Sequence, residues 1–358
     1  MKPILYIKSS SSEDVRLRKF LLYFSNKGIN VFFWGWDRRN TNNKIKDVNT
    51  QYIHKKGCKS KKELIFNYFV WMFKLFFKLL FTKNLNQYNI IAINFDSCFP
   101  IYMASKFRRI CYFYEIYDEF ALSYNFPPII KRLISSLDHK MMVRAKKIIH
   151  VDSNRCHKLE SNSIIIENTP YDFLKGIERD YSKIERTFAI IGYFSATRGL
   201  DQIYKFAKDN LQLNFLLVGV FSNNEEYKLK FNQLPNIIKY DFMAQENLFE
   251  LMLSCCGIFS LYNPSIEINK LAASNKVYDA MMLGIPVITN KEVINSKFII
   301  ENKIGFVVNY QYDKTWDILK ENELLAKCKE LGENGRKLYL EKYLFDNLVE
   351  NRLMKELD

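Results

Sequence analysis

The feature that most restricts how this chain can fold is an alternation. Short apolar runs are separated by helix-length stretches, the pattern stops near residue 170, and then it begins again. Residues 3–8 read as a strand, 9–14 as a polar loop, and 15–27 as a helix stopped by Gly28. Residues 30–36, 89–95, 110–116 and 147–152 are further apolar runs bounded by polar residues, with helical patterns at 100–107 and 128–145. A last strand at 164–166 runs into Glu167-Asn168-Thr169-Pro170, an exit turn, and the polar stretch 171–185 reads as a linker. The pattern resumes with strands at 188–193, 214–220, 237–240, 257–261 and 286–289, and helices at 200–210, 246–254 and 276–283. Strands alternating with helices give parallel sheets covered on both faces. The prediction is an α/β chain of two doubly wound domains facing a central cleft, with ligands beyond the carboxyl ends of the strands. A length of 358 residues suits two cores rather than one.

Composition excludes several classes. With 48% hydrophobic and 26% charged residues the chain is a folded protein, neither disordered nor fibrous. Its seven cysteines, Cys156 among them, are scattered without CxxC spacing, and the four histidines (His54, His139, His150 and His157) do not cluster with them. Neither a zinc site nor a disulfide framework is expected, and reduced thiols in a cytosolic protein are the simplest account. The apolar run at 4–7 is too short for a secretory signal. The long stretch 64–81 is interrupted by Lys74 and Lys78, so it is not read as a span.

A net charge of +14 implies acidic partners: nucleic acid, an anionic membrane surface or phosphorylated small molecules. The basic residues Lys55, Lys56, Lys59, Lys61 and Lys62 lead into a helix where Glu63, Asn67, Lys74 and Lys78 form a thin polar stripe. Phe66, Trp71, Phe73 and Phe77 belong to the apolar remainder. One reading is an interfacial helix with its lysines on anionic headgroups. The other is a buried helix of the first domain with its lysines at the rim.

Chemistry concentrates in residues 274–288. A small polar turn, Ser274-Asn275, opens a helix closed by Gly284, and Pro286 enters a buried strand. Ser274 or Asn275 would cap that helix. A helix start, with free amides and about half a positive charge, suits a diphosphate. Lys276 adds a full charge there, and Asp279, three residues on, shares its face. The plainer alternative is a capped αβ unit with a surface Lys–Asp pair. There is no Ser-His-Asp or Cys-His arrangement, no Walker lysine loop, no GxGxxG and no Asp-x-Asp pair.

The string Asn275-Lys276-Val277-Tyr278-Asp279-Ala280-Met281, followed by Gly284-Ile285-Pro286-Val287-Ile288, resembles the donor-site helix of glycosyltransferase family 4, whose members have the GT-B fold. The resemblance implies that the turn before the helix holds the donor diphosphate and that Asp279, where the family usually has Glu, binds the ribose hydroxyls. The family's second motif acid falls on Leu271 and is missing, with Glu267 as its substitute. Gly192-Tyr193-Phe194-Ser195-Ala196-Thr197-Arg198-Gly199 is similar to the family's strand–loop–helix run. There Arg198 keeps the charge that faces the donor phosphates, while Tyr193 replaces the usual Arg. In the first half, Tyr114-Glu115-Ile116-Tyr117-Asp118-Glu119 resembles a segment that usually carries His where Tyr117 stands. Glu115, Asp118 and Glu119 would face the cleft, where a carboxylate orients or deprotonates an acceptor hydroxyl.

The resemblance thus implies two Rossmann-like domains: an acceptor domain at residues 1–170 and a nucleotide-sugar domain at 171–340. A carboxyl-terminal helix at 341–358 would pack back on the first. The expected activity is hexosyl transfer from a nucleotide sugar, UDP-sugar before GDP-sugar, to a lipid-linked saccharide of O-antigen or capsule synthesis. It would retain configuration and use neither metal nor cofactor, in a cytoplasmic protein peripheral to the inner face of the membrane. The candidate catalytic carboxylates are Asp118, Glu119 and Asp279. The donor-binding candidates are Gly192, Arg198, Ser274, Asn275, Lys276, Asp279 and Glu267. The alternatives are a nucleotide-sugar epimerase on the same fold and, with basic residues spread over both halves, a nucleic-acid-binding protein.

Overall fold

The structure, a computed structural model, describes residues 1–123, 126–153, 161–221, 225–272 and 274–357; Cys156 and His157 lie outside them. The chain divides into two units, Met1–Glu167 with Leu348–Asp358, and Asn168–Asn347.

The first unit is built on seven strands: β1 (Ile4–Lys8), β2 (Val31–Asp37), β3 (Asn49–Lys55), β4 (Asn89–Ile93), β5 (Tyr112–Ile116), β6 (Lys147–His150) and β7 (Ser163–Ile165). They run parallel in the order β3-β2-β1-β4-β5-β6-β7. β1, β4 and β5 are buried at every position, which explains their near-continuous apolar sequences. β3 was not foreseen. It is the sheet edge, five of its seven residues are polar, and no apolar run marks it. The helix expected from residue 100 begins at Phe95 and carries Pro100 inside it.

The helix Lys61–Phe81 corrects the expected polar stripe. Asn67 is buried and its Oδ1 lies 2.9 Å from His54 Nε2. Lys74 Nζ is 3.4 Å from His54 Nδ1, and Lys78 lies over the Trp34 ring at 4.5 Å. Those polar groups turn toward β2 and β3, beside the buried Trp71, Leu75 and Leu79. The outward face is phenylalanine: Phe66, Phe69, Phe73, Phe77 and Phe81 are all exposed, Phe81 at 78%. Their spacing of three and four residues puts them on one side. Lys62–Phe81 is long and apolar enough by composition to cross a membrane.

The second unit holds β8 (Glu185–Phe194), β9 (Asn214–Phe221), β10 (Ile237–Tyr240), β11 (Cys255–Ser260), β12 (Val287–Asn290) and β13 (Gly305–Val308). They are parallel in the order β10-β9-β8-β11-β12-β13. The winding repeats that of the first unit, and the strand order reverses between β8 and β11. One face of the sheet is packed by Phe188, Phe206, Phe215, Phe259 and Trp316, the other by Met252, Met281 and Leu283. The single helix expected over 341–358 is instead a series of short turns, Tyr339–Tyr343, Phe345–Leu348, Val349–Leu353 and Met354–Glu356, broken at Leu344 where ψ is 119°. Within the first unit, Arg352 Nη1 donates to Ile165 O (2.7 Å) and to Glu167 Oε2 (2.8 Å), and Lys147 pairs with Glu356 at 3.0 Å. The six described cysteines are free thiols.

Candidate functional site

At a switch point the connections after the two central strands leave toward opposite faces and open a crevice. In the second unit these are the connections after β8 and β11. β8 ends through Gly192, at φ +94°, paired with Gly219 of β9; a Cβ on Gly219 would sit 1.9 Å from the Gly192 carbonyl oxygen. Gly192 therefore acts through its backbone. Residues 196–198 form one tight turn, and Gly199 at φ +73° starts the helix Leu200–Asp209. A Cβ on Gly199 would lie 2.7 Å from Leu261 Cβ, so the turn is pressed onto the end of β11. Three donors fix its carbonyls: Tyr310 Oη to Ala196 O (3.2 Å), Asn263 N to Thr197 O (3.0 Å) and Asn269 Nδ2 to Thr197 O (3.4 Å).

On this turn Arg198 is exposed, and its guanidinium lies over the Tyr262 ring at 4.3 Å. Tyr262 is held by Asn290, a fully buried residue at the end of β12. Asn290 Oδ1 accepts from Tyr262 N at 2.9 Å, and Nδ2 donates to Tyr262 O at 3.1 Å and to Glu292 Oε2 at 2.9 Å. Neither Tyr262 nor Asn290 belongs to a motif, and sequence reasoning missed both.

The helix Asn275–Leu283 faces the same place. Ser274 occupies its N-cap position but bonds none of its amides; its hydroxyl instead accepts from Ser260 Oγ at 2.8 Å. Asn275 is exposed and already helical. The expected side-chain cap is thus absent, because a buried serine at the end of β11 claims the hydroxyl; Val277 N bonds the Ser274 carbonyl at 3.1 Å, and the amides of Asn275 and Lys276 come before it at the helix start. The far end is anchored by Arg179 Nη1 to Gly284 O (2.5 Å) and by Arg336 Nη1 to Met282 O (2.9 Å). Lys276 is part-buried. Removal from water, reinforced by the Arg198 charge, pulls its ammonium down to about 8, with Asp279 acting in the opposite sense. The structure thus gathers Arg198, Lys276, Asp279, Ser274 and Asn275 at one helix start. Glu267 is exposed at the head of the short helix Glu267–Lys270, in the segment whose Asn269 braces the Arg198 turn.

In the first unit, Asp118 and Glu119 follow the carboxyl end of β5, Asp118 exposed and Glu119 part-buried. Glu115 does not join them, which corrects the expectation. It is a residue of β5, 1% exposed, and its Oε1 accepts from Arg16 Nε and Nη2, both at 2.9 Å. Lys8 at the end of β1 pairs with Asp14 at 2.7 Å and lies over the Tyr117 ring at 3.9 Å. Burial pulls the Lys8 ammonium below its ordinary value despite that partner. Burial, with Glu119 adding its charge, lifts the Asp138 carboxyl to about 6, while the hydrogen bond from Tyr114 opposes this. Among the described residues no three His, Cys, Asp or Glu side chains are grouped to hold a metal ion.

The sequence matches no protein-family model and no curated protein. Solved structures are similar over nearly the whole chain. Sucrose-phosphate synthase from Thermosynechococcus elongatus shares 13% identity at a TM-score of 0.72, with 98% of this chain and 97% of that one covered. HepE of Anabaena, in complex with UDP and glucose, shares 13% at 0.68, with 98% of each covered. WaaG, a glycosyltransferase involved in lipopolysaccharide biosynthesis, shares 14% at 0.64, with 97% and 98% covered. At such identities the likeness is one of fold: two parallel α/β sheets in the GT-B arrangement.

Proposed function

We propose that this chain is a glycosyltransferase that moves a sugar from a nucleotide sugar, UDP-linked before GDP-linked, to a lipid-linked saccharide. One observation carries the donor half. Arg198 and Lys276 bring two positive charges to an uncapped helix start at a switch point, where the ammonium is held down to about 8. Like charges converge on amides with free donors only at a cost, and a bound diphosphate removes that cost. The complexes of HepE with UDP and with UDP-glucose support the same donor class.

In this mechanism the bond between the anomeric carbon and the diphosphate oxygen breaks while the acceptor hydroxyl attacks from the face the leaving group departs, so configuration is retained. Negative charge grows on the departing oxygen. The Arg198 fork, the Lys276 ammonium and the amides at residues 274–276 take it up, the role a metal fills elsewhere. Asp279 accepts from the ribose hydroxyls, with Glu267 as a second carboxylate for the donor. Asp118 and Glu119 orient the acceptor hydroxyl or take its proton.

The exposed phenylalanines of Lys61–Phe81 support a place on the inner face of the cytoplasmic membrane, where a lipid-linked acceptor lies. WaaG's part in lipopolysaccharide biosynthesis favours O-antigen or capsule as the product class. The test is transfer from UDP-sugars by Arg198→Ala and Lys276→Ala: each is expected to lower turnover about 100-fold with the fold intact. Parental turnover in both variants removes the donor-site assignment.

A further inference from the structure

The first unit also carries a cavity of about 470 Å³, at the amino ends of β4 and β5, the opposite sheet end from Asp118 and Glu119. Lys2, Arg109, Arg144 and Lys146 line it, with Tyr88 and Phe113 in its wall, and no carboxylate among the described lining residues. Arg144 is oriented by Ser105, donating from Nε to Oγ (2.9 Å) and from Nη2 to the carbonyl (3.2 Å). Lys146 Nζ donates to the Glu356 carbonyl at 2.9 Å, while the Glu356 carboxylate is taken by Lys147 at 3.0 Å. Lys2 and Arg109 are exposed, and among the described residues no carboxylate pairs with them. Four cations around one hollow repel each other, and a phosphate relieves that repulsion with bidentate geometry available from each Arg.

The cavity adjoins the phenylalanine face. Arg108, next to the lining Arg109, donates from Nη1 to the carbonyls of Leu79, Leu80 and Thr82, clasping the carboxyl end of the helix Lys61–Phe81. Phe107, 71% exposed, sits 6.3 Å from Phe76, and Phe81 stands 6.3 Å from Phe77. Apolar rings beside a cationic hollow match a bilayer edge, where acyl chains meet phosphate headgroups. We infer that this cavity binds the phosphate headgroup of an anionic phospholipid while Phe81 and Phe107 enter the acyl boundary. This rests on the membrane reading above and adds to it a specific headgroup site.

The test is sedimentation of the full chain with phosphatidylcholine vesicles, with and without about one third phosphatidylglycerol. The parent is expected to prefer the anionic vesicles. Each cation near such a surface is worth about fivefold, so Lys2→Gln/Arg109→Gln should lose about 25-fold on anionic vesicles and keep its weak zwitterionic binding. Phe69→Ser/Phe73→Ser should weaken binding to both. If the lysine–arginine pair variant binds anionic vesicles like the parent while the phenylalanine variant is released, the membrane reading stands and the headgroup site falls. If the parent binds neither vesicle, both fall. If free glycerol 3-phosphate at millimolar concentration displaces the parent from anionic vesicles completely, the ligand is a soluble phosphate and the lipid assignment is overturned.

Discussion

The ammonium of Lys276, held to about 8 by burial and the Arg198 charge, makes donor affinity depend on pH in a defined direction. A diphosphate beside it favours the charged form, so binding takes up a proton wherever the free site has lost one. A lysine's ordinary value is 10.5, and full restoration on binding is worth about 3 kcal/mol, the ceiling on the effect. Below about pH 7 the ammonium is already charged and adds no slope of its own; between about pH 7 and pH 9 affinity weakens about tenfold. The second ionisation of a phosphate, at about 6, lies below this window. Calorimetric titration with UDP in two buffers of different ionisation enthalpy should report uptake of about half a proton at pH 8. Lys276→Arg, whose guanidinium keeps its charge, should bind with no slope across the same range. The sign is opposite for the empty protein. Its folded state gives up the proton at about 8 while the unfolded chain holds it to 10.5, so stability without ligand rises over that interval. An affinity for UDP unchanged between pH 7 and pH 9, or an arginine variant with the parental slope, would refute contact between Lys276 and the phosphates.

Two further outcomes follow from the packing. Arg16→Met strips the buried Glu115 carboxyl, which burial already pushes above its ordinary value, of its ion partner, so urea denaturation should show a loss of about 3–5 kcal/mol, largely recovered in Arg16→Met/Glu115→Leu. Asn290→Ala removes the three bonds that fix Tyr262 and Glu292, and should weaken UDP binding about tenfold through a mobile Arg198 while costing about 2 kcal/mol of stability; unchanged UDP affinity would show that the Tyr262 platform is dispensable.

What the sequence discloses follows from where its signals are local. β1, β4 and β11 are buried along their length, so each is a compact apolar word, and the helix that ends in Gly284 is bounded by residues adjacent to it. β3 is different, since an edge strand alternates and carries Asn49, Gln51 and Lys55 outward. The helix Lys61–Phe81 was visible as a helix, but its orientation was not. Periodicity shows two faces, and only the neighbour His54, brought in from β3, decides that Asn67 turns inward and the phenylalanines outward. The missed cap has the same origin: Ser274 and Ser260 are 14 residues apart, and their bond exists only once β11 is in place. Asn290 supports Tyr262 across 28 residues. Charges in one motif could be read from spacing; the groups that aim them could not.

The chain leaves its first unit at Glu167 and re-enters it at Leu348. The second unit is therefore one uninterrupted segment spliced into a host encoded in two pieces. A gene fragment for residues 168–347 would carry every cation and amide assigned to the nucleotide, ready for expression by itself. A stop codon after residue 347 would have the reverse effect: it strips Arg352 from Glu167 and Glu356 from Lys147, and so injures the half that holds no donor residue.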